Sequence, residues 1–262
     1  MKMRDLLLTI DVGNTHTVIG FFRGKTLQAH WRITSNIART EDESWVLLKL
    51  FCDSSNLNKN QIKGAIISSV VPNLTPVFVQ MISEYIGLEP VVVSASLPLP
   101  IHIAYDNPRA VGADRICDAV AGFLQYGGPL IVVDLGTATT FDVITETGDY
   151  LGGAIAPGIE TSSMDLFRRA AKLFPVQFEF PTRVIGRNTK ESIQAGIMFG
   201  AVEQVDGIVR RIKRELPAGK HVHVVGTGGL ARAIFGRSET IEKVEPDLTL
   251  YGMQMIYEKL EK

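Results

Sequence analysis

Cysteine is scarce in this chain of 262 residues: Cys52 and Cys117 stand far apart and outside any C-x-x-C setting. That excludes a disulfide framework or a thiolate zinc cluster, and both read as small buried hydrophobes of a reducing compartment. Neither sign of charge is in excess, since 27 Lys and Arg against 28 Asp and Glu leave a formal net charge of −1. No electrostatic footprint for nucleic acid or an anionic membrane exists at that balance. The densest basic run, RRIKRE, reads as the solvated face of a helix. No apolar stretch approaches the roughly 18 residues that a spanning helix needs. The opening MKMRDLLLTI puts positive charge before an apolar run, but the run is short, Asp11 interrupts it and no small-residue cleavage pattern follows. A cytoplasmic protein that binds neither nucleic acid nor membrane is expected. Low-complexity segments and long linkers are missing too, and so are the phosphate fingerprints G-x-x-x-x-G-K-[ST] and G-x-G-x-x-G.

What is present is an ordinary core-forming composition, 45% hydrophobic and 21% charged. LLLTI, HTVIGFF and TLQAHWRI are short β-rich runs divided by Gly or Asn turns, a three-strand meander. Beyond them DESWVLLKLFCD has helical spacing, GAIISSVV suits a strand covered on both faces, and TPVFVQMISEYIG reads as a helix ended by Gly87. PVVVS is a further strand and GADRICDAVAGFLQYGG a helix ended by Gly127. Strands alternating with helices predict an α/β fold.

The second half repeats the opening. PLIVVDLGTATTFDVIT can be laid on LLLTIDVGNTHTVIGFF so that Asp134 matches Asp11, Gly136 matches Gly13 and Thr140 matches Thr17, each 123 positions on. GDYLGGAIAPGI then reads as a hairpin or strand, SSMDLFRRAAKL as a helix, and NTKESIQAGIMFGAVEQVDGIVRRIKREL as one long helix or two. HVHVVGTGGLARAIF predicts strand, glycine turn and helix, and DLTLYGMQMIYEKL a closing helix. A unit this long fits a duplicated domain better than a solenoid. Two α/β lobes are expected, residues 1–127 and 128–262, packed closely with a cleft between them.

Each copy delivers an Asp at the end of a buried strand, one residue before Gly, and then hydroxyl or amide residues in a turn. Glycine lets backbone approach a bulky anion, and turn N–H groups with Thr hydroxyls donate to phosphate oxygens. A carboxylate beside phosphate needs a cation between them, the usual service of oxygen-liganded Mg²⁺. The alternative is two ordinary β-turns with Asp and Asn chosen for geometry; recurrence at one offset favours phosphate. GTGG, at Gly226–Gly229, opens a helix that could meet a nucleobase or ribose, or is simply a tight connection.

DVGNT, DLGTATT and GTGG resemble the phosphate-1, phosphate-2 and adenosine elements of the acetate and sugar kinase, Hsp70 and actin superfamily. Within it YDNPRAVGADR, GGAIAPGI, GRNTKESIQAG and DLTLYGM resemble the type III pantothenate kinases, from Leu7 to near Lys259. The resemblance implies two actin-like, ribonuclease H-like lobes with mixed sheets flanked by helices. It implies ATP and pantothenate as substrates, Mg²⁺ with the nucleotide, and a monovalent cation, K⁺ or NH₄⁺, near Asp134. The first phosphate loop would be Asp11, Val12, Gly13, Asn14, Thr15, His16, Thr17 and Val18, with Asp11 in the Mg²⁺ shell. Thr137 would touch the nucleotide phosphates from the second hairpin. Asp114 is implied as general base, and Tyr105, Gly112, Ala113 and Arg115 as the pantothenate pocket, Arg115 matching the substrate carboxylate. Thr189 would complete the neighbouring site of a homodimer.

Without the resemblance, Asp114 reads equally as a first-turn aspartate complementing a helix dipole, and Tyr105 as a core aromatic. A stripe of Ile193, Ile197, Ala201, Val205, Ile208 and Ile212, widened by Met198, Val202 and Val209, can bury a helix against its own lobe, a second subunit, or both. Asp142 is placed either in support of the second loop or on a solvent face. His221 and His223 share one strand face with no third ligand alongside, which disfavours a metal. AAKLFPV carries Phe174 where the resembling chains have a shorter AAKLP, altering the local loop. A catalytically silent regulatory relative and an ATP-driven conformational protein remain alternatives to a kinase.

Overall fold

The computed structural model describes residues 5–35 and 37–261. Its elements, in chain order, are strands β1 (Leu6–Val12), β2 (His16–Arg23) and β3 (Thr26–Thr34), helix α1 (Glu41–Ser54), β4 (Ile62–Ser69), α2 (Thr75–Ile86), β5 (Val91–Val92), β6 (His102–Ile103) and α3 (Ala113–Tyr126). There follow β7 (Leu130–Leu135), β8 (Ala138–Ile144), β9 (Asp149–Pro157), α4 (Ile159–Arg169), α5 (Thr189–Glu215), β10 (His223–Thr227), α6 (Ala231–Phe235), β11 (Lys243–Val244) and α7 (Leu248–Leu260). The meander, the single long α5 and the closing helix stand where the hydrophobic periodicity predicts them. Helix ends follow local chemistry: Thr40 and Glu43 form a reciprocal capping box ahead of α1. Gly87 ends α2 in the left-handed region at φ 76°, where a Cβ is penalised.

Two compact units result, Met1–Ala121 with Leu248–Lys262, and Gly122–Asp247. In the first, the sheet runs β3-β2-β1-β4-β5; in the second, the corresponding order is β9-β8-β7-β10-β11. The first three strands of each set are antiparallel neighbours, and the last two join in parallel. This is one mixed ribonuclease H-like sheet built twice, as the resemblance implies. Each unit has its own core. In the first, Leu8, Ile10, Phe21, Ile67 and Met81 are fully buried. In the second, Ile131, Val133, Phe141 and Met198 are, and every member of the α5 stripe except Ile193 packs into that same core.

The division differs from the expected 1–127 and 128–262 in two places. Gly122, late in α3, lies against Leu130 and Val132 so closely that an added Cβ would come 2.6 Å from Leu130. Helix α7 belongs to the first unit: Tyr251 meets Phe22 edge-on at 5.3 Å, Thr249 donates to Asp118 Oδ1 at 2.7 Å, and Gly64 leaves room for Tyr257. Cys52 and Cys117 are buried and free, as read from the sequence. No described helix is long and apolar enough to cross a membrane.

Candidate active site

Central strands β1 and β7 are buried at every position except one, and in each that position is the aspartate. A charged group at the end of an otherwise apolar strand is where the second face of the sheet gives way to a turn. Register confirms the equivalence: Asp11 lies opposite Ser68 of β4, and Asp134 opposite Thr227 of β10.

The proposed pairing of Thr17 with Thr140 is corrected by the same register. Thr17 lies opposite Val12 and Thr139 opposite Leu135, so beyond the turns the offset is 122 instead of 123. The cause is turn length. Gly13 N–H donates to His16 O, whereas Gly136 N–H donates to Ala138 O, one residue tighter. Thr17 and Thr139 are both buried, as equivalent positions should be.

In the first unit, Ser68 Oγ donates to Asp11 Oδ1 at 2.8 Å. Burial of the carboxyl pushes Asp11 up from 3.8 to about 7, Asp114 adds like-charge repulsion, and the Ser68 hydroxyl opposes both. Thr17 Oγ1 and Ser35 Oγ are 2.8 Å apart, and Ser35 N–H donates to Thr15 O, which ties the turn to the end of β3. Asn14 and His16 are exposed at the tip, with Gly13, Thr15 and Val18 half-buried and Val12 in the core. Asp114 occupies the first turn of α3, where Arg115 N–H donates to its Oδ1 at 2.7 Å. Burial raises its carboxyl, while that hydrogen bond and the Arg115 charge pull it down. Gly112 fits against it, since an added Cβ would sit 2.5 Å from Asp114 Oδ1. Ala113 is buried, Arg115 is half-buried, and Tyr105 is exposed, not a core aromatic.

In the second unit the aspartate is surrounded by glycine. Gly228, at φ 89°, brings its Cα so near that a Cβ would stand 2.3 Å from Asp134 Oδ1, and Gly136 lies about as close as ordinary contact allows. The turn itself is clamped from α4: Gly158 N–H and Thr161 Oγ1 both donate to Thr137 O, at 3.2 and 2.7 Å. The Thr137 residue stays exposed. Asp142 is fully buried and supports this hairpin, accepting from Tyr150 OH at 2.6 Å and Thr140 Oγ1 at 3.1 Å. Thr189 is elsewhere in the unit, the first and exposed residue of α5, at a cavity of about 540 Å³ lined also by Ser162, Ile193 and Ile197. Phe174 is exposed in the loop after α4.

The structure thus brings Asp11, Ser68, Gly112 and Asp114 together in one unit, and Asp134, Thr137, Gly158 and Gly228 in the other. Ser68 and Gly158 were not singled out from the sequence. A hydroxyl at the end of the apolar run IISS was the available signal for Ser68, and the P-G pair in GGAIAPGI for Gly158. The residues fit cations. A buried carboxyl whose proton affinity is raised further by the neighbouring Asp114 charge suits a hard, oxygen-seeking divalent ion at Asp11. A carboxylate approached closely by the backbone of Gly228 and Gly136 suits a larger monovalent ion at Asp134.

Comparison with known proteins shows the family of the chain. The family model described as type III pantothenate kinase matches residues 7–211. Proteins named type III pantothenate kinase from Moorella thermoacetica and Roseiflexus castenholzii are each 48% identical over 97% of this chain and 99% and 98% of theirs. That of Thermomicrobium roseum is 44% identical, over 98% of both chains. Among solved structures, a Baf family transcriptional activator from Campylobacter jejuni superposes with a TM-score of 0.60 at 15% identity, over 97% of this chain and 98% of that one. The ethanolamine utilization protein EutJ from Carboxydothermus hydrogenoformans gives 0.53 at 14% identity, over 95% and 89%. At such identities these two structures speak for the fold alone.

Proposed function

The chain belongs to the type III pantothenate kinase family, and from that membership we propose that it transfers the γ-phosphoryl group of ATP to the primary hydroxyl of pantothenate, the first step of coenzyme A biosynthesis. The observation that carries this reading is identity of 44–48% over nearly the whole chain with proteins of that name.

In the reaction the pantothenate oxygen bonds to the γ-phosphorus as the bond to the ADP oxygen breaks, and the hydroxyl proton leaves. Asp114 takes that proton. Its carboxyl is fixed by the Arg115 N–H and raised by burial, which brings a base closer to working pH without displacing it. Arg115, with Tyr105, Gly112 and Ala113 nearby in sequence, orients the substrate through its carboxylate. The turn from Asp11 to Val18 and Thr137 of the second hairpin hold the nucleotide phosphates by backbone N–H and hydroxyl groups. Asp11 would hold a divalent ion and Asp134 a monovalent ion, and these would supply neutralising charge for the phosphate oxygens. Positioning and charge neutralisation are most of what such a transfer requires. Thr189 serves the pantothenate site of a second copy in a homodimer, and the enzyme works in the cytoplasm.

The test is pantothenate-dependent ADP release from Mg-ATP, run in potassium and in sodium buffer. Turnover that needs pantothenate is expected, faster in potassium. ATP binding with no pantothenate-dependent ADP in either salt would replace the kinase by a regulatory or conformational relative. Equal rates in the two salts would remove the monovalent ion alone.

A further inference from the structure

His221 and His223 gain a third partner from the fold. Strand β11 runs parallel to β10, and Glu242, just before it, donates its N–H to Val224 O at 2.9 Å. That pairing sets the Glu242 carboxylate beside both imidazoles: His221 Nε2 is 3.0 Å from Oε1, and His223 Nδ1 is 3.5 Å from Oε2. The two rings are 4.7 Å apart at their centroids, nearly perpendicular, and the three donor atoms lie within 4.8 Å of one another.

We infer that His221, His223 and Glu242 form a binding site for a borderline divalent metal of the zinc class, distinct from the cations of the phosphate sites. Bonds of about 2.0–2.1 Å in tetrahedral array put neighbouring ligand atoms about 3.3–3.4 Å apart. Taken to one carboxylate oxygen, Oε2, the His221 and His223 separations of 3.2 and 3.5 Å straddle that spacing, and the widest pair of donors needs to close by only about 1.4 Å. Side-chain exposure of 64% for His221 makes such an adjustment a rotamer change at the surface, with a remaining position open to water. Two imidazole nitrogens and one carboxylate oxygen select zinc, nickel or copper over magnesium, which prefers oxygen alone.

The flanking cations are engaged elsewhere. Lys220 pairs with Glu146, and the Lys243 ammonium lies over the Tyr126 ring at 4.9 Å. Tyr126 in turn donates its hydroxyl to Glu245. The site lies at the start of β10, beside Leu130, whereas Asp134 and Thr227 pair at the other end of the same two strands. Four residues of strand separate the two, roughly 13 Å, so a metal here does no phosphate chemistry. It would tie the entry of β10 to the entry of β11.

The full-length protein, stripped with chelator and returned to excess Mg²⁺, is titrated with zinc chloride by calorimetry, with the histidine side chains followed by ¹⁵N NMR. One zinc per chain is expected, with shifts at His221 Nε2 and His223 Nδ1 and none at His16, His30 or His102. His221→Ala and Glu242→Gln should each weaken zinc at least about tenfold, since loss of a ligand costs no less than loss of its outer-shell support. Both variants should keep wild-type turnover with Mg-ATP. Absence of zinc binding by the wild type, unchanged affinity in both variants, or shifts confined to the other histidines would overturn the site. None of these outcomes bears on the kinase reading, which the ADP assay tests separately.

Discussion

The two hairpins place an aspartate at the same point of the same sheet, yet one aspartate is surrounded by acid and hydroxyl and the other by glycine. Asp11 meets the Ser68 hydroxyl and the field of Asp114. Asp134 meets Gly136 and Gly228, in a turn one residue shorter that is clamped by Gly158. Duplication supplied the scaffold twice, and the two copies then specialised in opposite directions. The first sets two carboxyl groups and a hydroxyl side by side, and the second brings glycine backbone up against its carboxylate.

The largest effect should come from breaking the first unit's charge pair. Asp114→Asn keeps the size and the Arg115 N–H contact but cannot accept a proton. Turnover is expected to fall by about 10²–10⁴-fold, the usual worth of a positioned acid or base, with ATP affinity held within a few-fold. Calorimetric ATP titration beside steady-state ADP release separates the two. A variant that keeps a tenth of wild-type turnover would remove Asp114 from the proton's path.

Next in size is a pH effect at the acidic hairpin. Native Asp11 holds its proton up to about pH 7, whereas the unfolded chain loses it near 3.8. Between those values the native state binds more protons, so unfolding free energy falls as pH rises through the window. Asp11→Asn has no proton to lose. Relative to wild type it should gain stability from pH 4 to pH 8, by about 2–4 kcal/mol after allowance for the residue's partial exposure. Denaturant titrations at several pH values would show it, in metal-free buffer. Parallel curves for the two proteins would mean that Asp11 ionises normally.

Sequence alone carried the duplication, the α/β alternation and nearly every helix, because hydrophobic period and glycine stops are local signals. It carried the two aspartates for the same reason, each being the single charged residue in a β-rich run. Ser68 was not legible, since only parallel pairing across 57 positions sets it opposite Asp11. The change of offset from 123 to 122 was invisible because an extra turn residue leaves both flanking strands intact. Glu242 became a neighbour of His221 only through the two-residue β11, too short to announce itself in sequence. The return of α7 to the first unit depends on fitted surfaces, Gly64 under Tyr257 and Gly252 against the Cys117 carbonyl, which no periodicity encodes.

The smallest effect sharpens the comparison most, because one chemical change is made in both units. In Gly228→Ala the new methyl would lie 2.3 Å from Asp134 Oδ1 and 2.7 Å from the Leu135 backbone, at φ 89°. Backbone cannot step aside, so strain and clash together should cost about 1–3 kcal/mol, or several degrees in melting temperature. In Gly112→Ala the methyl would meet Asp114 Oδ1 at 2.5 Å, the rotatable end of a side chain. That carboxyl can swing away from the Arg115 N–H, leaving stability within about 1 kcal/mol of wild type while the base loses its aim and turnover drops. Glycine in the second unit would then be a requirement of folding, and glycine in the first a requirement of catalysis. Equal losses of melting temperature in the two variants would erase that distinction.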